Sequence, residues 1–228
     1  MSKKRIPGEE RREKIIEVAQ RVFADKGFHG TTTRELAGEA GVSEALLFKH
    51  FPNKEAIYKA MLAHCHESEV GGEVRRLLEL ESSTSTLAIM LHFLVTKFVA
   101  GNEHARMIHH LVLRSMSEDG EFARVIFKHV GSTWVPKMSE CIDEAYKAGD
   151  LFPDRKQKSS AWLTQHLLLM IAFMFVPDKR LTNYKVSDES FTEEAVIFCL
   201  RGMGLKDEAI KRNYNPRALS LLALSSSE

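Results

Sequence analysis

The sequence predicts an all-α protein of about nine helices, with a small N-terminal three-helix domain leading into a larger helical one. Apolar residues recur at helical spacing along almost the whole chain, with Ile15, Ile16, Val18, Ala19, Val22 and Phe23 on one face and Ile57, Ala60 and Met61 on another. No stretch alternates apolar and polar residues in the manner of a half-buried strand. Breakers at Gly27, Gly41, Pro52, Gly71-Gly72, Gly101, Gly120, Gly149 and Pro153 cut the chain into segments of helix length, and Pro177 ends the most apolar one.

At 228 residues the chain can bury a core without disulfide or metal staples. Cys65, Cys141 and Cys199 are odd in number, far apart and never in a CxxC pair, which fits a reducing compartment. The basic start, Lys3-Lys4-Arg5, is followed by no apolar run, so a secretory signal is not expected and a cytoplasmic location is. The longest apolar run, Leu167 to Val176, is half of the ~20 residues a membrane span requires, so no membrane association is expected. Net charge is +1, which excludes a protein that coats nucleic acid over its whole surface. Residues 1–60 carry 12 Lys or Arg against 9 Asp or Glu, and the remainder 20 against 22, so only the N-terminal quarter leans towards an anionic partner.

Composition divides the chain near residue 60, where short helices and polar loops give way to longer helices rich in bulky apolar residues. The expected domains are 1–60, 61–205, and an appended segment 206–228 that mixes Asn213-Tyr214-Asn215-Pro216 with Leu219, Leu221, Leu222 and Leu224.

The most informative stretch is TTTRELAGEAGVSEALLFKHFPNK, Thr31 to Lys54. Thr32 followed three residues later by Glu35 is a capping box, which predicts a helix starting at Thr33. Gly41 ends that helix, because glycine at the C′ position tolerates the left-handed conformation of a tight inter-helix turn. Ser43 then caps a second short helix that runs no further than about Phe51, since Pro52 stops it. Ala37 is small enough for close helix crossing, and Leu36 and Leu47 point inward to hold the crossing angle. A preceding helix, from about Arg11 to Asp25, packs beneath the pair. Two short helices joined by such a turn form a helix-turn-helix, whose second helix enters the DNA major groove.

In the run from Glu13-Lys14-Ile15-Ile16 through Ala24, Gly27, Thr32, Ala37, Ala40-Gly41-Val42-Ser43 and Leu47-Phe48-Lys49-His50-Phe51 to Lys54-Glu55, the chain resembles the TetR family of transcriptional regulators. The likeness is close over residues 11–63 and extends beyond them only as an all-helical layout. It implies that Thr32, Thr33 and Arg34 touch phosphate at the start of the supporting helix and that His50 and Lys54 grip it from the other side. Ser43, Glu44, Ala45 and Phe48 then lie early on the recognition helix, where base edges are reached, with Lys49 beside them. Phe48 stands where the family has a tyrosine, which keeps ring contacts and removes a hydroxyl donor. Glu44 and Leu46 also depart from the usual pattern. A carboxylate at Glu44 either accepts from cytosine N4 or pairs with Arg34. Lys3, Lys4 and Arg5 are either a tail or a minor-groove arm.

A module of this size touches few base pairs, so a second copy on a palindromic site is expected. The helix spanning Ala161 to Val176 is apolar nearly all round and must be covered on both sides. The resemblance implies a four-helix homodimer interface, with Leu167, Leu168, Ile171 and Phe175 from this helix and Phe191, Ala195 and Phe198 from the next regular one. A small apolar or amphipathic effector is expected in the helical body, lined by Phe93, Met107, His110, Arg114, Trp134, Met138, Trp162 and His166. No cofactor or metal is expected: His64 and His66 diverge on a helix, as do His109 and His110. The absence of GxSxG, P-loop, HExxH and dinucleotide fingerprints argues against an enzyme. The function so implied is a dimeric repressor released from a palindromic operator by a small molecule. The alternative is a DNA-bound protein-interaction factor of the same fold that has no metabolite ligand.

Overall fold

The computed structural model describes residues 8–69, 72–101, 103–155, 158–177 and 179–219. The Lys3-Lys4-Arg5 arm, the side chains of Cys65 and His66, and the leucines from 221 onward lie outside the described residues. Among those residues there are twelve α-helices, a 3-10 turn at Pro153–Arg155 and no strand beyond an isolated bridge between Leu151 and Leu205. The all-α expectation holds. The chain is cut more finely than nine, in part because Gly72–Glu79 and Asp207–Asn213 form short helices of their own. No single described helix is long and apolar enough to cross a membrane.

Packing divides the chain into two compact units: residues 1–71 with 107–127, and 72–106 with 128–228. The first contains α1 (Gly8–Gly30), α2 (Thr33–Glu39), α3 (Glu44–His50) and α4 (Lys54–Glu69), together with 107–127, drawn from α7 (Glu103–Ser117) and α8 (Glu121–Ser132). Its core is the apolar face read from the sequence: Ile15, Phe23, Leu36, Leu47, Ile57 and Met61 are all essentially inaccessible, and Phe122 joins them from the later segment. The ring of Phe23 meets that of Tyr58 edge-on at 5.0 Å, and burial raises the Tyr58 hydroxyl pKa to about 12.

α1 is broken at Gly27, whose φ of 72° is open to glycine but costly for other residues. A Cβ there would also stand 2.1 Å from Glu118 Oε1 and displace that carboxylate. The Glu118 carboxylate accepts from the Phe28 N–H at 3.2 Å and from Arg114 Nε at 2.9 Å, while Arg114 also donates to the Asp25 carbonyl at 3.1 Å. One Arg–Glu pair from the 107–127 segment thus satisfies the backbone groups exposed by the break in α1.

The second unit contains α5 (Gly72–Glu79), α6 (Thr84–Ala100), α9 (Trp134–Lys147), α10 (Ser160–Met174), α11 (Asp188–Gly202) and α12 (Asp207–Asn213). α6 is the central element, with α9, α10, α11 and α12 packed on it. Leu87, Met90, Leu91, Val95, Met138, Cys141, Leu168 and Leu200 form its core. Of the segment expected as an appendage, Ile210 and Tyr214 belong to the core of this unit, and Tyr214 shares a buried hydrogen bond of 2.9 Å with His92 Nδ1. The buried Asp150 carboxylate accepts from Thr84 at 2.6 Å and from Arg212, tying α12 to the start of α6.

Candidate nucleic-acid interface

The capping box forms as the sequence implies. Thr32 Oγ1 accepts from the Glu35 N–H at 3.2 Å, and Glu35 Oε2 accepts from the Thr32 N–H at 2.9 Å. The other Glu35 oxygen accepts from Lys26 Nζ at 2.7 Å, which ties α2 to α1. The Lys26 ammonium and the Thr32 donors hold the Glu35 carboxyl down to about 2, so the box stays charged at any physiological pH.

The turn after α2 closes through two backbone bonds, Val42 N–H to Ala37 O at 2.9 Å and Gly41 N–H to Gly38 O at 3.0 Å, around Gly41 at φ 65°. This is the Schellman arrangement, in which a left-handed C′ residue lets the chain reverse while satisfying the last carbonyls of the helix. Ser43 Oγ then accepts from the Leu46 N–H at 3.2 Å and starts α3. Leu47 is the inward anchor of α3, fully buried like Leu36 on α2. On the outer side Glu44, Ala45, Phe48 and Lys49 are exposed. They fall within an arc of about 140° at 3.6 residues per turn. Phe48 is 44% exposed, a large ring facing water on a seven-residue helix whose other side is core.

Two predicted contacts are placed differently from expectation. Glu44 does not pair with Arg34, because its Oε1 accepts from the Thr33 hydroxyl at 2.7 Å. The single proton of the Thr33 hydroxyl is directed at that carboxylate. Lys54, expected to grip phosphate, turns inward. Its Nζ donates to Phe28 O at 2.7 Å and Thr31 O at 2.9 Å and sits 4.4 Å from the Phe28 ring centroid. It is a strut that holds the α1–α2 connection. Its partners lie 23 and 26 residues away in sequence, so no local signal marked the role. Thr32, Arg34 and Ser43 remain exposed at the ends of the two helices, and His50 is half-buried.

The eight residues expected to line an effector site are distributed over both units. Met107, His110 and Arg114 belong to the first unit, and Phe93, Trp134, Met138, Trp162 and His166 to the second. Arg114 is committed to Glu118 and Asp25. Together with His110 it lines an open groove of about 400 Å³ on the first unit. Trp134 and Met138 are packed in the second unit's core, the Trp162 ring lies 5.7 Å from that of His166, and Phe93 sits under Lys97 Nζ at 5.2 Å. Of the expected dimer residues, Leu168 and Phe175 are buried in the chain's own core, Phe175 against Phe191 at 5.6 Å, and are not available to a partner. Leu167, Ile171 and Ala195 are half-buried, whereas Phe198 is 66% exposed. Leu163 and Met170, which the sequence reading passed over, are 58% and 54% exposed. The i, i+4, i+7, i+8 spacing of Leu163, Leu167, Met170 and Ile171 puts them on one face of α10. Among the described residues no group of three His, Cys, Asp or Glu could hold a metal ion.

A capped seven-residue helix, a Schellman turn and a second capped helix with an exposed outer face define a helix-turn-helix head. Residues 15–61 match the family model described as bacterial regulatory proteins, tetR family. The transcriptional activator FasR of Mycolicibacterium smegmatis is 39% identical over 74 residues, 32% of this chain and 33% of that protein. The regulatory protein RaaS of Mycobacterium tuberculosis is 30% identical over 148 residues, 65% of this chain and 63% of that protein. Among solved structures, AibR in complex with isovaleryl coenzyme A and operator DNA superposes with a TM-score of 0.62 at 22% identity, covering 83% of this chain and 97% of that one. Residues 15–61 thus carry the DNA-binding head described for the tetR family of bacterial regulatory proteins. The chain spans about a third of the length of FasR and less than two thirds of RaaS.

Two substitutions test the head. A Cβ at Gly41 meets open space, so the cost of replacing it is backbone strain alone. Gly41→Asn is expected to melt close to the unaltered chain and Gly41→Val to lose about 2 kcal/mol, read by urea unfolding. Lys54→Met is expected to lower stability by about 1–3 kcal/mol, by leaving two carbonyls short of a donor. It should also leave the salt dependence of DNA binding unchanged, whereas loss of a phosphate contact would reduce the slope of log K against log salt by about 0.9 per head.

Proposed function

We propose that the chain is a DNA-binding transcriptional regulator that holds a palindromic operator as a homodimer and is released by a small-molecule effector, acting as a repressor by occupying promoter DNA. The observation that carries this reading is the outer face of α3. Glu44, Ala45, Phe48 and Lys49 are exposed together on a helix whose orientation is locked by Leu47 and the Gly41 turn. In a major groove the exposed Phe48 ring would pack against thymine methyls and sugar.

The dimer is supported by Leu163, Met170 and Phe198. Burying side chains of this size contributes about 1.5–3 kcal/mol each. With Leu167 and Ile171 they give α10 and α11 the apolar surface that a partner copy would cover. The effector is supported by the fold shared with AibR, which was solved with an acyl-coenzyme A and operator DNA together. An apolar or amphipathic ligand is the class that a helical body of this composition accepts. The packing of Trp134 and Met138 into the core favours the second reading, a DNA-bound protein-interaction factor with no metabolite ligand. No enzymatic role is assigned, and the chain works where DNA is, in the cytoplasm.

Binding is tested by fluorescence anisotropy on the duplex upstream of the chain's own gene, in competition with random DNA at rising salt. The expected result is operator affinity at least about 10³-fold tighter than random and falling steeply with salt. Equal affinity for both duplexes contradicts the proposal.

A further inference from the structure

The pairing of Thr33 with Glu44 gives the head a specific reading function. It rests on the proposal that α3 enters a major groove. We propose that Glu44, positioned by the Thr33 hydroxyl, recognises the 4-amino group of a cytosine in each half of the operator.

Glu44 is the first residue of α3, on the early turn that meets base edges in this docking geometry. It is exposed, so the Thr33 bond is not a by-product of core packing. A glutamate on a solvated helix end samples many rotamers, and ordering it on binding costs conformational entropy. The 2.7 Å bond from Thr33 settles that side chain before DNA arrives. It engages Oε1, and no described protein group engages Oε2.

An ionised carboxylate only accepts hydrogen bonds, so in the groove it is satisfied only by a donor. Two bases present one there, cytosine at N4 and adenine at N6. Adenine sets its N7 acceptor beside N6, against the carboxylate's negative charge. Guanine offers N7 and O6, and thymine O4, all of them acceptors. Cytosine alone presents a donor with no acceptor of its own on that edge. The same carboxylate therefore favours cytosine over adenine, whose N7 offsets its N6 donor, and repels guanine and thymine, which is how a single charge gives specificity by exclusion.

The test is selection of binding sites from a randomised duplex pool by the full-length chain and by the variants Glu44→Ala, Glu44→Gln and Thr33→Val. Because Glu44 and Thr33 sit on the surface, each variant should melt within a few degrees of the parent, which is checked first. The parent is expected to enrich a two-fold symmetric site with cytosine at one position of each half. Replacing that C·G pair by T·A should weaken binding about 10-fold. Glu44→Ala should lose preference at that position and at no other, and Glu44→Gln should shift it to adenine, whose N6 and N7 a glutamine amide matches. Thr33→Val should broaden the same position. If Glu44→Ala selects the same site as the parent, the carboxylate reads no base and the inference is overturned. If the parent enriches no site at all, the regulator proposal fails and this inference with it.

Discussion

Two helices of seven residues each have no stability of their own, because the cost of forming the first turn is recovered only over a dozen residues or more. Their existence here depends on being packed. Leu36 and Leu47 are the buried contacts, and the Gly41 turn sets the angle at which the two helices meet. Thr32, Glu35 and Ser43 supply acceptors for the N–H groups that short helices leave over. Everything assigned to the outer face of α3 rests on that crossing, since Phe48 and Glu44 are exposed together only while Leu47 is held inside.

Several charges of the first unit hold its shape. Lys26 holds Glu35, Lys54 holds the carbonyls of Phe28 and Thr31, and Arg114 with Glu118 holds the broken end of α1. The net charge of the whole chain is +1. Salt dependence is set by the phosphates that the head contacts, whereas preference between sequences comes from base edges. The carboxylate held at the front of α3 fits that division, because it lowers attraction to DNA in general and raises discrimination.

What was legible in the sequence was local. The capping box, the Gly41 stop, the Ser43 cap and the Pro52 limit each involve residues within a few positions of one another, and all four appear in the structure. The apolar face of α1 was legible because helical periodicity survives in the core. The roles that were missed depend on distance along the chain. Lys54 reads as a surface cation until its partners 23 and 26 residues away are known, and Thr33 and Glu44 are 11 apart. Phe122 and Arg114 pack with the N-terminal helices although a composition boundary near residue 60 separates them from that segment. Leu168 and Phe175 were read as interface and lie in the core, because an all-round apolar helix does not reveal which of its sides its own chain covers. The exposed Leu163 and Met170 mark the side left open.

The central claim is that this crossing of α2 and α3 presents a reading face to DNA, and that two such faces act together. Hydroxyl-radical footprinting of the chain on the DNA upstream of its gene addresses both parts at once. Two protected half-sites with two-fold symmetry are expected, centred one helical turn or a multiple of it apart, with both lost together in Phe48→Ala. Protection of a single isolated patch, or a footprint unchanged by Phe48→Ala, would contradict the claim.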